Sequence, residues 1–126
     1  MADEVSVRES PPYLEDLKNL NPGKDDRKAI EGAVVEIVAA VTENPNNPDK
    51  ARAGDPFPRD RHESWKKRIR RPGSNMGKRG ALRLAYWWRR KERQVVLLRL
   101  YYKRDQADLA QKEIEKAKAR FRERMT

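Results

Sequence analysis

The spacing of apolar residues predicts a short helix near the start of the chain. Ser10 followed by Pro11 is typical of a helix N-cap and first turn. The leucines that follow, Leu14, Leu17 and Leu20, share one helical face, and the Asn-Pro-Gly sequence at 21–23 ends the element. Before it, the alternation of valine with polar residues in EVSVRES predicts a short strand.

A second, longer helix is predicted from about Asp25 to Glu43. Its apolar positions recur at the i, i+3, i+4, i+7 spacing of an amphipathic helix. They are Ile30, Ala33, Val34, Ile37, Val38 and Val41. The stretch that follows is rich in proline, so we expect a loop over residues 44–64.

The second half of the chain changes to a period of two, which is typical of strands. Strands are predicted at Trp65–Arg71 (WKKRIRR), Ala81–Trp88 and Gln94–Lys103. The last two are separated only by a charged turn at 89–93, which favours an antiparallel hairpin. A final helix begins near Asp108, with a buried stripe at Leu109, Ala110, Ile114, Ala117 and Phe121.

The order strand, helix, helix, three strands, helix predicts the α+β class. We expect a small antiparallel sheet with two N-terminal helices packed on one face and a C-terminal helix. The length of 126 residues predicts one domain, spanning residues 1–126. The N-terminal strand is expected to join the same sheet.

Composition narrows the class of partner. The chain has no cysteine, no apolar run long enough to cross a bilayer, and an acidic N-terminus unlike a secretory signal, so a cytoplasmic protein is expected. The net charge is +10, and residues 52–104 hold 18 basic against 4 acidic residues, a balance of +14. A charge concentrated in this way favours a polyanion such as nucleic acid, although a solubilising surface is the simpler alternative.

Strict alternation places cations on one face of the predicted hairpin. Arg83 and Trp87 share a face of their strand, as do Arg99, Tyr101 and Lys103 on the next one. Because the helices need only one face, we expect the other to be wet and to bind RNA through its cations and aromatic rings, unless it is an ordinary solvated surface. In the basic strand, Lys66, Arg68 and Arg70 supply further cations.

Three segments, in this order and spacing, resemble a known family. They are VSVRESPPYLEDLKNL, MGKRGALRLAYWW and VVLLRLYYKRDQADL, and together they cover almost the whole chain. The sequence is similar to the RelE/HigB branch of the RelE/ParE superfamily, the toxins of bacterial type II toxin–antitoxin modules. The resemblance implies a RelE-like fold and a ribosome-dependent endonuclease (mRNA interferase) that cleaves mRNA, inhibits translation and arrests growth.

The resemblance also implies the roles of particular residues. The chemistry is metal-independent and without a cofactor: the ribose 2′-hydroxyl attacks the adjacent phosphate, and cations stabilise the charge that develops. Arg83 falls on the family's strand arginine and Arg104 near its second arginine. The basic residues of the preceding strand match as well. The implied catalytic set is therefore Arg83, Arg104, Arg68 and Lys66, and the implied RNA-binding set is Arg70, Lys78, Arg79, Trp87, Arg99, Tyr101 and Lys103.

The general acid and base are the point of departure from the family pattern. Several relatives carry a C-terminal tyrosine or histidine, and this chain has neither after Arg104. The candidates are His62, the only histidine, Tyr102 and Asp105. We add His62 and Tyr102 to the catalytic set, although His62 is also explained as an exposed loop residue and Tyr102 as a packed side chain.

Two other functions remain open. One is a non-catalytic RNA- or ribosome-binding protein, and the other is a ParE-like inhibitor of DNA gyrase, because a shared fold does not fix function. The expected partners of the nuclease are mRNA, ribosomal RNA, which the loop at 72–80 is placed to contact, and a cognate antitoxin that covers the cationic cleft.

Overall fold

The structure is a computed structural model, and it describes residues 4–48, 54–56, 63–69, 82–102 and 111–125. Three helices surround a five-stranded sheet. The strands are β1 (Ser6–Glu9), β2 (Asp55–Pro56), β3 (Ser64–Ile69), β4 (Leu82–Arg89) and β5 (Gln94–Tyr102). The helices are α1 (Pro11–Leu20), α2 (Lys24–Glu43) and α3 (Gln111–Met125). The α+β class is therefore confirmed. No described helix combines the length and apolar character that crossing a membrane requires.

The sheet is mixed, whereas an antiparallel sheet was predicted. Its strand order is β1-β5-β4-β3-β2, and β1 lies parallel to β5 while the other pairs are antiparallel. Parallel pairing needs a long crossover connection, and the helices and strands between β1 and β5 supply one. The prediction of a loop over 44–64 also missed β2, a two-residue edge strand at Asp55–Pro56. An edge is where a strand tolerates proline.

The first helix begins and ends where the sequence indicates. The Ser10 hydroxyl accepts a hydrogen bond from the Tyr13 N–H at 3.3 Å, and prolines occupy the first turn. Asn21 adopts the left-handed conformation (φ 44°) and ends the helix by donating its N–H to the Leu17 carbonyl. The same Ser10 hydroxyl donates to the carbonyl of Leu98, so the cap also fastens α1 to the edge of β5.

Helices α1 and α2 cover one face of the sheet with apolar side chains. The core there contains Ile30, Ala33, Ile37 and Val41 from α2, as predicted, packed on alternate residues of the strands. Trp65 of β3 stacks on Tyr86 of β4, with ring centroids 5.8 Å apart. This face carries most of the buried apolar surface and fixes the register of the strands.

Helix α3 covers the opposite face, which was predicted to be wet. Ile114, Ala117 and Phe121 pack against Ala85, Trp87, Val96, Leu98 and Tyr101 in a second core cluster. The sequence predicted the buried stripe of the last helix but not the face of the sheet on which the helix packs. An apolar stripe shows that a helix is covered, and it does not show which surface covers it. The predicted start near Asp108 and the stripe residues Leu109 and Ala110 lie outside the described residues.

A β-bulge at Leu98 changes which β5 residues share a face. Leu97 pairs with Tyr86 and Arg99 pairs with Ala85, so Leu98 has no partner opposite it in β4. Val95 and Leu97 therefore face the α1–α2 core, while Leu98 and Tyr101 face α3. Strict alternation along the whole strand would put Leu97 on the same face as Tyr101, and it is wrong here because one inserted residue reverses the parity of a strand.

Candidate nucleic-acid interface

Three adjacent strands bring the central candidates together on the α3 side of the sheet. Arg83 of β4 lies between Arg68 of β3 and Tyr101 of β5 in the strand register. Lys66 lies two residues before Arg68 and pairs with Ala85, so its side chain is on the same face. Directly opposed residues have Cβ atoms about 5 Å apart. The predicted grouping of Lys66, Arg68 and Arg83 is therefore present.

The pairing of Arg68 with Arg83 has an electrostatic cost. Like charges directly opposite each other on neighbouring strands destabilise a sheet. Arg83 is also only 8% exposed, whereas Arg68 is exposed. Two guanidinium groups on neighbouring strands can both donate charge-assisted hydrogen bonds to one phosphate.

The two tyrosines at the end of β5 lie on different faces. Tyr101 is buried on the Arg83 face, while Tyr102 packs against the α1–α2 core. Tyr102, the predicted acid or base, is thus not brought to Arg83. Tyr101 was predicted only to bind RNA, although it is the tyrosine that shares the face with Arg83. After the bulge at Leu98, each tyrosine faces the same side of the sheet as its partner in β4. Tyr101 lies opposite Arg83, and Tyr102 lies opposite Leu82.

Arg99 is held by carboxylates and does not project freely from the sheet. Its guanidinium donates to both oxygens of Asp16 in α1, at 2.6 and 3.1 Å, and reaches Glu113 of α3 at 3.4 Å. The hydrogen bond to Asp16 raises the pKa of Arg99 above its ordinary value. Asp16 also accepts the backbone N–H of Leu100 at 2.9 Å. Arg99 therefore joins both flanking helices to the sheet edge.

Trp87 is buried under α3, where the sequence had predicted an exposed stacking platform. Its ring meets Phe121 edge-on at 6.3 Å. Three cations lie over it, with Arg89, Lys118 and Arg122 at 5.0, 5.0 and 4.9 Å from the ring centroid. Sequence reasoning missed Lys118 and Arg122, because their proximity to Trp87 depends on which face α3 covers. Buried Lys118 also donates to Glu63 at 3.4 Å.

Six of the predicted site residues lie outside the described residues: His62, Arg70, Lys78, Arg79, Lys103 and Arg104. Their roles stay predictions. Among the residues that the structure does describe, no three histidine, aspartate or glutamate side chains come together as a set of metal ligands.

The mixed sheet, the two helices on one face and the third on the other define a RelE-like fold. The structure of a free-state mutant of the Escherichia coli toxin RelE matches it with a TM-score of 0.55 and 13% sequence identity, covering 98% of this chain and 99% of that one. The RelBE2 toxin–antitoxin complex from Mycobacterium tuberculosis contains a chain that matches with a TM-score of 0.45 and 25% identity, over 83% and 98% of the two chains. The sequence matches no protein-family model and no curated protein sequence.

Proposed function

We propose that this protein is the toxin of a type II toxin–antitoxin module and acts as a ribosome-dependent mRNA endonuclease. The observation that carries the proposal is the set of three cations, Lys66, Arg68 and Arg83, in register on adjacent strands of a RelE-like fold. In this proposal the whole chain, residues 1–126, is a single toxin domain that works in the cytoplasm. A cognate antitoxin neutralises it by covering the cationic face.

The residues have distinct tasks in the proposed reaction. The ribose 2′-oxygen attacks the neighbouring phosphorus, and the bond to the 5′-oxygen of the next nucleotide breaks. Arg83 and Arg68 stabilise the extra negative charge on the phosphoryl oxygens, with Arg104 as a further cation. A general base takes the 2′ proton and a general acid protonates the leaving oxygen. Tyr101 is the described tyrosine on this face, and His62 is the remaining candidate.

The test is controlled expression in bacteria, with mRNA 5′ ends mapped relative to the reading frame. We expect frame-locked cuts in the parent, reduced about 100-fold or more by Arg83→Ala, because a preorganised cation at the developing charge contributes that much. Since Arg83 is buried, circular dichroism must show a folded variant, and exposed Arg68→Ala supplies a second variant with less risk to folding. Arg8→Ala, on exposed β1 away from the three strands, is the matched control.

A second candidate function is supported by the position of the tyrosines. Tyr102 faces away from Arg83, and Tyr101 is buried beneath α3, which favours a protein that binds RNA or the ribosome without cleaving it. Translation arrest without mRNA cuts would select this function. Intact mRNA and normal translation, together with DNA damage signalling, would contradict both functions and favour gyrase inhibition.

A further inference from the structure

A cavity of about 630 Å³ lies at the end of the sheet away from Arg83. It is enclosed by the loop after α2 (residues 45–48), the β4–β5 turn, Glu63 and Arg122 of α3. Arg83 and Arg89 are six residues apart on β4, so the β4–β5 turn at the rim of the cavity is about 20 Å from Arg83, while the lining residue Trp65 directly precedes Lys66. Its volume is within the range of small-ligand sites. The cavity is thus a separate feature of the molecule.

Aromatic side chains are among the residues that line the cavity. All three tryptophans of the chain, Trp65, Trp87 and Trp88, line it. The indole N–H of Trp88 donates to the carbonyl of Pro45 at 2.7 Å, which holds the 45–48 loop against the sheet and keeps the cavity open. Trp65 and Trp88 belong to the α1–α2 core and Trp87 to the α3 core, so the cavity lies at the end of the sheet where both cores reach its edge.

The guanidinium of Arg122 lies over the ring of Trp87, with 4.9 Å between its carbon and the ring centroid. Arg122 is exposed on the last turns of α3. An exposed guanidinium held beside an indole in this way is a planar cation, and nucleic-acid bases stack on such planes. An unpaired base therefore has a stacking surface at the mouth of the cavity.

The rim carries more cations than acids. Arg89, Arg90, Lys91 and Arg122 line the cavity together with Glu63 and Glu92. Each acid already contacts a cation, since Glu63 lies 3.4 Å from Lys118 and Glu92 lies 3.6 Å from Arg89. Arg90 is oriented by the side-chain oxygen of Asn46 at 3.0 Å. The exposed pair Lys91 and Arg122 thus leaves positive potential at the rim, where phosphates bind.

We propose that this cavity binds a single-stranded polynucleotide, with one base stacked on Arg122 and the adjoining phosphates held by Arg90 and Lys91. An acidic protein segment satisfies the cations but makes no use of the planar guanidinium and the neighbouring indole rings, so a nucleic-acid strand fits better. This second contact goes beyond the proposed endonuclease function and does not depend on cleavage, because it lies at the other end of the sheet.

The experiment measures the fluorescence anisotropy of a labelled 12-nucleotide 2′-O-methyl oligoadenylate, which cannot be cleaved through its 2′-oxygen. The cavity variant is Lys91→Glu with Arg122→Glu. The matched control is Lys24→Glu with Lys28→Glu, two exposed α2 positions outside the cavity with the same change in net charge. At 0.1 M salt, remote charges are screened beyond about 10 Å. We expect binding to weaken about tenfold or more in the cavity variant and about twofold or less in the control.

Intrinsic fluorescence gives a second readout, because every tryptophan of the chain lines the cavity. RNA must change the tryptophan emission of the parent, and this change must be lost in the cavity variant. Lys91→Gln with Arg122→Gln serves as a milder version if charge reversal impairs folding. A 12-nucleotide deoxyadenylate identifies the source of the strand: weaker binding than the RNA probe points to RNA, and equal binding points to single strands of either kind.

Three outcomes overturn the proposal: equal losses in the cavity and control variants, no change of tryptophan emission on binding, or tighter binding of a 12-residue oligoglutamate that competes with RNA for the cavity. The last result would assign the cavity to an acidic protein partner. A chain that fails to cut mRNA but shows the expected cavity binding refutes only the proposed nuclease. A chain that cuts mRNA but binds equally well with both double variants refutes only the cavity.

Discussion

The two faces of the sheet are both covered by helices, yet they bury different kinds of side chain. On the α1–α2 face, the core is apolar apart from the hydroxyls of two buried tyrosines, Tyr13 and Tyr86, and burial raises the pKa of Tyr13 to about 12. On the α3 face, the charged groups Arg83 and Lys118 are buried beside the apolar ones. Buried charge is costly unless it is compensated. The second face therefore holds buried charge that must be compensated, as the pair of Lys118 with Glu63 shows, whereas the described residues of the first face include none.

The same contrast appears in how each face is fastened. Helix α2 contributes five buried apolar side chains, whereas described α3 contributes Ile114, Ala117 and Phe121 together with Lys118. Helix α3 also contacts its neighbours through ion pairs, from Glu113 to Arg99 and from Arg120 to Glu15. A helix held in this way is expected to open more readily than the rest of the fold.

The largest effect should come from truncating one core residue on each face. Leu84 faces α1 and α2, Ile114 lies on α3, and both are fully buried. We expect Leu84→Ala to lower the free energy of unfolding by about 4 kcal/mol and Ile114→Ala by about 2 kcal/mol, because α3 can shift or open to relieve its cavity. Urea unfolding measures both values.

Hydrogen exchange then separates the two cases. In Ile114→Ala, the α3 amides should exchange faster while those of the sheet keep their protection. In Leu84→Ala, protection should fall throughout the sheet and helices. Equal unfolding losses with the same exchange pattern would contradict the proposed difference between the faces.

An intermediate effect is expected where α1, β5 and α3 meet. Asp16→Asn removes the charge that pairs with Arg99 and weakens the acceptor of the Leu100 N–H. Because this leaves a half-buried guanidinium with a weaker partner, we expect a loss of about 2 kcal/mol. Thermal unfolding measures it, with exposed Glu31→Gln on α2 as a control that changes stability by less than about 0.5 kcal/mol. Equal losses of unfolding free energy in the two variants would show that the junction of α1, β5 and α3 stabilises the fold no more than an exposed position on α2 does.

The sequence predicted the elements of this fold better than their contacts. The Ser10 cap and the α2 stripe from Ile30 to Val41 follow from local spacing, and both are confirmed. The bulge at Leu98 leaves no local signal, because leucine fits either face. The two-residue strand β2 is too short to show a period. Strict alternation was therefore wrong within β5. A wet face was expected where α3 lies because the apolar stripe of a helix does not show which surface it packs against.

The candidate site divides in the same way. Arg68 and Arg83 could be grouped from the sequence, since both follow the period of their own strands, and the pairing of β3 with β4 brings them opposite each other. The ion pair between Arg99 and Asp16 joins residues more than 80 positions apart, and no local pattern contains it. The cavity lined by Trp87 and Arg122 likewise depends on the packing of α3.

The smallest effect is expected at the exposed pair between Glu15 of α1 and Arg120 of α3, whose closest atoms are 3.0 Å apart. The hydrogen bond from Arg120 lowers the pKa of Glu15 below its usual 4.5. A lowered carboxylate pKa adds stability that is present above pH 4.5 and is lost as the pH falls through the lower, folded-state value. Glu15→Gln should therefore make the loss of stability below pH 4.5 slightly less steep. An unchanged curve in that range would mean that the pair contributes nothing. Exposed pairs contribute little and are screened by salt, so melting temperatures of parent and variant should converge at about 1 M salt. A difference that persists at this salt concentration would mean that Glu15 holds α1 to α3 by something other than its charge, and α3 would then be fastened more firmly than the contrast between the two faces implies.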